Sequence, residues 1–105
     1  MKVLFICNQN QNRSRRAEEL FRAEFETRSA GLYNENPVSQ KDIEWADTLV
    51  VMEDGHRSEI SRRFPEQCMK KRIISLGIPD IYDYGRKELE DALRDKVREL
   101  VHPLL

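Results

Sequence analysis

The chain has 105 residues, 35% of them charged, and acidic and basic side chains nearly cancel to a formal net charge of −1. That length suits one modest core, so residues 1–105 read as a single domain and two are excluded. The charge balance offers neither the basic excess of a nucleic-acid partner nor the like-charge blocks of a disordered tail.

The first element is a continuous apolar run, Val3 to Ile6, predicting a buried strand that ends at Cys7. The polar stretch Asn8 to Asn12 follows, then Arg13, Ser14 and a helical pattern over 14–25 with Ala17, Leu20, Phe21 and Phe25 on one face. Ser14 stands where an N-cap or first-turn residue would stand. A weak strand signal over Thr27–Ala30 ends at Gly31, and Tyr33 to Pro37 is loop by composition. Ser39 and Asp42 resemble a capping pair opening a short helix through Ala46. Thr48–Met52 is an apolar strand, and Asp54 then caps a helix that carries Ile60 and Phe64 and closes at Pro65. Cys68 falls in a polar connection, Glu66 to Lys71, with no chemistry assigned to it. Arg72–Ile78 is the next strand, running into the loop Pro79–Gly85. The last helix sets Leu89, Leu93, Val97, Leu100, Val101 and Leu104 on one stripe.

Strands alternating with helices, most of them apolar throughout, predict an α/β fold: a doubly wound domain with a four-stranded parallel sheet and helices on both faces. No apolar run exceeds strand length, so no membrane span is expected. The N-terminal stretch reads as strand, not signal peptide. The two cysteines, Cys7 and Cys68, are far apart and have neither disulfide-framework nor zinc-ligand spacing. The expected setting is therefore a reducing cytoplasm, with no metal and no cofactor.

The chemistry concentrates at the first strand–loop–helix junction. Cys7 is followed six residues later by Arg13, in a loop opening a helix. Helix N-terminal amides bind phosphate, and the same dipole favours a thiolate. A guanidinium can hold two phosphate oxygens as a fork. The loop lacks glycine, but Asn8, Asn10 and Asn12 are the next-best residues for a positive φ. The plain alternative makes Cys7 a small buried hydrophobe at a strand end. In open parallel sheets ligands sit beyond the carboxyl ends of the strands, and Cys7 and Asp80 both follow strands at that rim. No G-x-x-x-x-G-K-[ST] occurs, which excludes a P-loop NTPase.

With Cys7, Asn10, Arg13 and Ser14 in place, the loop resembles the C-x-G-N-x-C-R-S motif of the low-molecular-weight protein tyrosine phosphatases. Ser39–Asp47 followed by Met52-Glu53 resembles that family's central passage. Asp80-Ile81-Tyr82 is similar to its Asp-Pro-Tyr loop, with Ile81 in place of Pro. The likeness covers most of the chain in a shortened form, with residues missing between Gly31 and Ser39. Gln9 and Asn12 replace the family's Gly and second Cys. The resemblance implies a metal-free phosphomonoester hydrolase working through a phosphocysteine, on protein phosphotyrosine or another small aryl or alkyl phosphate. It makes Cys7 the nucleophile, Arg13 the oxyanion clamp and Asp80 the general acid. Asn8, Gln9, Asn10, Gln11, Asn12, Ser14 and Tyr82 complete the expected substrate site. Ser14 would donate to the Cys7 sulfur or simply cap the helix, and Asn10 would prop the loop.

Alternatives stay open at this point. Asp83 competes with Asp80 as the acid, and either could be a turn former. Tyr33, Tyr82 and Tyr84 could rim the pocket or pack. Trp45 reads as core, and His56 and His102 read as solvated. An arsenate reductase on the same fold would use the same Cys and Arg. A phosphocysteine carrier, or an anion-binding regulator without turnover, would keep the loop and dispense with the acid.

Overall fold

The computed structural model describes residues 1–104; Leu105, the last residue of the expected domain, lies outside them. Four strands, β1 (Lys2–Cys7), β2 (Glu26–Gly31), β3 (Thr48–Val51) and β4 (Arg72–Ser75), form one parallel sheet of order β2-β1-β3-β4. The chain steps from β1 to one side, then crosses back to its other side. The switch point therefore lies between β1 and β3, and a ligand site is expected beyond their carboxyl ends.

Strand alternation splits the apolar residues between two layers. Val3, Phe5 and Cys7 face α1 (Arg13–Phe21) and α5 (Lys87–Leu100), meeting Ala17, Phe21, Leu89, Leu93 and Val97. Leu4, Ile6, Leu49 and Val51 face the other way. There Ile43 of α2 (Gln40–Trp45), Ile60 of α3 (Asp54–Arg63) and Cys68 of α4 (Pro65–Met69) cover them. Burial on both faces is why β1 and β3 are apolar at nearly every position.

The predicted doubly wound α/β sheet is the observed one, with corrections at the ends of elements. Helix α1 stops at Phe21, four residues short of the predicted 25. The amides of Glu24 and Phe25 both turn back onto the Phe21 carbonyl at 3.0 Å, closing the helix while Phe25 stays buried. Asp54 opens α3 but Glu53 is its N-cap. Pro65 ends α3 and also begins α4, since a proline at N1 forfeits only an amide that has no partner there. The supposed polar connection around Cys68 is thus helical, and Cys68 is buried with its Sγ 3.6 Å from the Ile60 carbonyl. Burial pushes the Cys68 thiol above its ordinary pKa.

Strand β4 ends at Ser75, short of the predicted Ile78. Gly77 adopts φ +67°, bending the chain while the amide of Ile78 still reaches the Met52 carbonyl at 2.8 Å. The C-terminal stripe breaks at Leu100; His102–Leu104 forms a 3₁₀ turn, because Pro103 has no N–H to continue the ladder. The Ser39–Asp42 capping pair forms as read, with the Ser39 amide 2.8 Å from the Asp42 carboxylate and the Asp42 amide 3.3 Å from Ser39 Oγ. Trp45 is only half-buried, lying under the Arg28 guanidinium at 4.2 Å. No helix among the described residues is long and apolar enough to cross a membrane.

Candidate active site

Strand β1 delivers Cys7 to the rim with its side chain toward α1, and residues 8–12 loop over it before α1 begins. Two neighbouring backbone contacts set the loop's course. The carbonyls of Cys7 and Asn8 accept the amides of Leu32 and Tyr33 at 3.0 and 2.9 Å. Gly31 pairs with Cys7 at the end of β2; a Cβ there would lie 2.9 Å from the Gln9 carbonyl carbon and from Cγ and Oδ1 of the Asn34 side chain. Glycine is required at this position by the close approach of the loop, not only as a strand stop. Asn10 takes the positive φ, 56°, that the asparagine-rich loop was expected to need.

None of the backbone N–H groups of residues 8–12 donates a hydrogen bond among the described residues. Consecutive unpartnered amides at the mouth of a helix form an anion nest. The pocket they enclose is lined by Cys7, Asn8, Gln9, Gln11, Asn12, Arg13 and Asp80. Of the residues expected at the site, Asn10 and Ser14 sit behind the sulfur. The Ser14 hydroxyl is 2.8 Å from Cys7 Sγ and 2.7 Å from Asn10 Oδ1. Ser14 is a first-turn residue of α1, not its N-cap, and has one hydrogen to give. When it goes to a Cys7 thiolate, Asn10 must present its Nδ2 to the hydroxyl, so the amide's orientation follows the protonation of the cysteine.

Arg13 is 1% exposed, and its Nη1 donates to Glu53 Oε2 and to the Ile78 carbonyl, each at 2.7 Å. Both Nη1 hydrogens are thereby used. Nε and Nη2, the edge that forms a bidentate fork, donate to nothing among the described residues. Asp80 Oδ1 stands 3.9 Å from Nε, across the pocket mouth, with its side chain 55% exposed. Gly77 is what makes this possible: the bend there carries the Ile78 carbonyl onto the guanidinium and Asp80 to the rim.

Tyr82 is the one expected site residue that the fold places elsewhere. It packs onto the α5 side of the core and lines a separate groove with Ile78, Pro79, Ala92 and Lys96. Asp83 does not line the loop pocket; its carbonyl accepts the Arg86 amide at 3.1 Å. Tyr84 lies against α1 beside Arg15 and Arg16, its hydroxyl pKa raised by a hydrogen bond to Glu19. Tyr33 is exposed, with the Arg63 guanidinium 5.1 Å above its ring.

Two residues of the site were missed in the sequence. In the sequence Glu53 stands out only as part of a resemblance. His56, expected to be solvated, is 5% exposed: its Nδ1 accepts the Glu53 amide at 3.1 Å, and its Nε2 meets Asn8 Oδ1 at 2.8 Å. Both stand just after β3, where the switch-point rule directs attention once the strand order is known. His102, at the chain's far end, is half-exposed and 3.2 Å from Glu24.

No family model matches this chain, and no curated protein matches it significantly. Solved structures do. The YwlE arginine phosphatase from Geobacillus stearothermophilus is 25% identical with a TM-score of 0.71, covering 93% of this chain and 90% of that one. A low-molecular-weight protein tyrosine phosphatase from T. tengcongensis is 25% identical, with a TM-score of 0.72 over 94% of this chain and 98% of its own. The tyrosine phosphatase AmsI of Erwinia amylovora is 22% identical, with a TM-score of 0.73 over 96% and 93%. A parallel sheet of order β2-β1-β3-β4, entered by a cysteine loop at its switch point and matched over nine-tenths of its length, is the low-molecular-weight protein tyrosine phosphatase fold.

Proposed function

We propose that the protein hydrolyses phosphate monoesters through a phosphocysteine on Cys7. The observation that carries this reading is the alignment of three groups on one small pocket. These are the Cys7 sulfur, the unpartnered amides of residues 8–12, and the free Nε/Nη2 edge of a buried arginine. The amides and Arg13 hold the three non-bridging oxygens, and their charge is fixed before the substrate arrives. Cys7 Sγ attacks phosphorus as a thiolate, forming the S–P bond as the ester P–O bond breaks. Asp80 gives its proton to the departing oxygen, then takes one from the water that attacks phosphorus and displaces the sulfur. Ser14 donates to that sulfur as it leaves. Asp80 is preferred to Asp83 because it lines the pocket and Asp83 does not. An arsenate reductase would share Cys7 and Arg13, yet Cys68 is buried in the opposite layer and offers no second thiol. A carrier or silent regulator leaves Asp80 at the rim without a task.

The pocket recognises a phosphoryl group, and no aromatic side chain lines it. Protein phosphotyrosine, small aryl or alkyl phosphates and, by likeness to YwlE, protein phosphoarginine are therefore the substrates to compare. Thiolate catalysis suits a reducing cytoplasm, and residues 1–105 are read as one phosphatase domain.

The test is turnover of p-nitrophenyl phosphate by the purified protein in EDTA, with acid quenching and mass spectrometry. Turnover with a phosphoryl mass on Cys7 is expected. Turnover that requires added metal, or a phosphoryl group trapped on another residue, would overturn the reading. Peptides carrying phosphotyrosine and phosphoarginine then rank the substrate classes.

A further inference from the structure

We propose that His56 is a positioning residue for the anion loop: from the first turn of α3 it fixes Asn8, and with it the peptide planes beside the Cys7 sulfur. The inference rests on the phosphotransfer reading above, but its geometry is independent of it. The Glu53 amide donates to His56 Nδ1 at 3.1 Å, so Nδ1 must carry its lone pair. The imidazole is then neutral with its hydrogen on Nε2, which donates to Asn8 Oδ1 at 2.8 Å. The Cys7 and Asn8 carbonyls are held from the other side by the Leu32 and Tyr33 amides at 3.0 and 2.9 Å. With side chain and carbonyls both fixed, the amides have one direction left, toward the pocket.

The same turn grips the loop's other end. Glu53, whose backbone fixes the tautomer of His56, holds Arg13 through its side chain at 2.7 Å. Residues 53 and 56 thus brace both ends of the loop from across the switch point. Three charged groups face the imidazole: Arg13 from α1, Glu53 at the entry to its own helix, with Oε2 3.6 Å from Nε2, and Asp80 from the loop after β4. Burial, followed by Arg13, moves the His56 pKa below its ordinary 6.5, while Glu53 and Asp80 oppose them. Protonation would set an Nδ1 hydrogen against the Glu53 amide and break the brace at that contact.

His56→Asn and His56→Gln separate this role from simple packing. Asn places an acceptor where Nδ1 stood and cannot reach Asn8; Gln places a donor where Nε2 stood. His56→Asn is expected to lower kcat for an aryl phosphate ~10- to 100-fold and to weaken vanadate binding, with little change in melting temperature. His56→Gln should recover much of that loss, and adding Asn8→Ala to His56→Asn should cost less than the two single losses combined. Wild-type kcat and vanadate affinity in His56→Asn would overturn the proposal. So would equal losses in both variants accompanied by lower melting temperatures. Should both fail to fold, ¹⁵N NMR of the wild-type protein decides: an Nε2–H tautomer is expected, and an Nδ1–H or averaged tautomer overturns it. A wild-type protein without turnover would sink the phosphatase reading alone, because vanadate affinity and tautomer still report on the brace.

Discussion

Glu53 Oε2 and Arg13 Nη1 meet at 2.7 Å, and that contact aims the guanidinium. Together with the Ile78 carbonyl it occupies Nη1 completely, leaving the Nε/Nη2 edge without a hydrogen-bond partner among the described residues. Glu53→Ala is expected to lower kcat/KM ~10-fold or more, because a buried guanidinium that can swing no longer presents a fixed fork. Glu53→Gln keeps the acceptor and removes the charge, so it should lose much less. Vanadate affinity measured beside kcat checks the assignment: equal effects of Ala and Gln would mean that charge, not aim, is what Glu53 contributes.

Arg13→Lys should be about as damaging as losing an oxyanion donor, ~10²–10³-fold in kcat, since an ammonium cannot reproduce the fork. Cys7→Ser should abolish turnover while leaving circular dichroism and melting temperature near those of the wild type, because an alcohol is a far weaker nucleophile at neutral pH. Steady-state kinetics with p-nitrophenyl phosphate tests both. An active Lys variant with wild-type phosphate affinity would remove Arg13 from the site.

Much of this site was legible because it is local. Cys7, the loop and Arg13 are consecutive, and an apolar strand, a polar loop and a helix each leave a pattern within a few residues. Asn10 followed from the same logic, since a loop without glycine needs some residue at positive φ. Glu53 and His56 escaped because their contacts with the loop join residues that lie 40 and 48 positions apart in sequence. In Met52-Glu53-Asp54-Gly55-His56 the polar residues look like an ordinary solvated helix start. Only the crossover to the far side of β1 turns that start toward the loop. Tyr82 misled for the converse reason: an aromatic beside Asp80 looks like pocket wall, but the core under α5 offers it more apolar surface to cover.

Gly31→Ala tests a requirement that the sequence expressed only as a strand stop. The new methyl would stand 2.9 Å from the Gln9 carbonyl carbon, a backbone atom that no rotamer change can move away. Overpacking of this kind costs about 1–3 kcal/mol, here delivered to the anion loop itself. Melting temperature and kcat should fall together. A variant of wild-type stability and rate would show that the loop can be displaced freely, contrary to its fixed geometry.

Acid sensitivity should carry a contribution from His56. Its folded pKa lies below the ordinary 6.5, so on acidification the unfolded chain takes up a proton before the folded one does. Stability therefore rises with pH through that window, is complete above 6.5, and falls as the pH drops below it. Urea unfolding at several pH values above the carboxylate range should show this slope in the wild-type protein. It should be reduced in His56→Gln, and an unchanged slope would mean that another group titrates there.

Asp80 and Asp83 are separated by three positions and by one structural fact: only Asp80 lines the pocket, 3.9 Å from Arg13 Nε. Asp80→Asn should depress hydrolysis strongly for alkyl phosphates, whose alkoxide must be protonated as it departs, and weakly for p-nitrophenyl phosphate. General acid help is typically about 10²–10⁴-fold, and a good leaving group forgoes most of it in the first step. Asp83→Asn should retain most activity on both esters, since Asp83 holds Arg86 through its backbone carbonyl, which the substitution keeps. Burst kinetics add a second readout. With the activated ester, Asp80→Asn should accumulate phosphocysteine, since the attacking water has also lost its base. If Asp83→Asn shows the leaving-group dependence and Asp80→Asn does not, the two roles must be exchanged; if neither does, the acid comes from outside this loop.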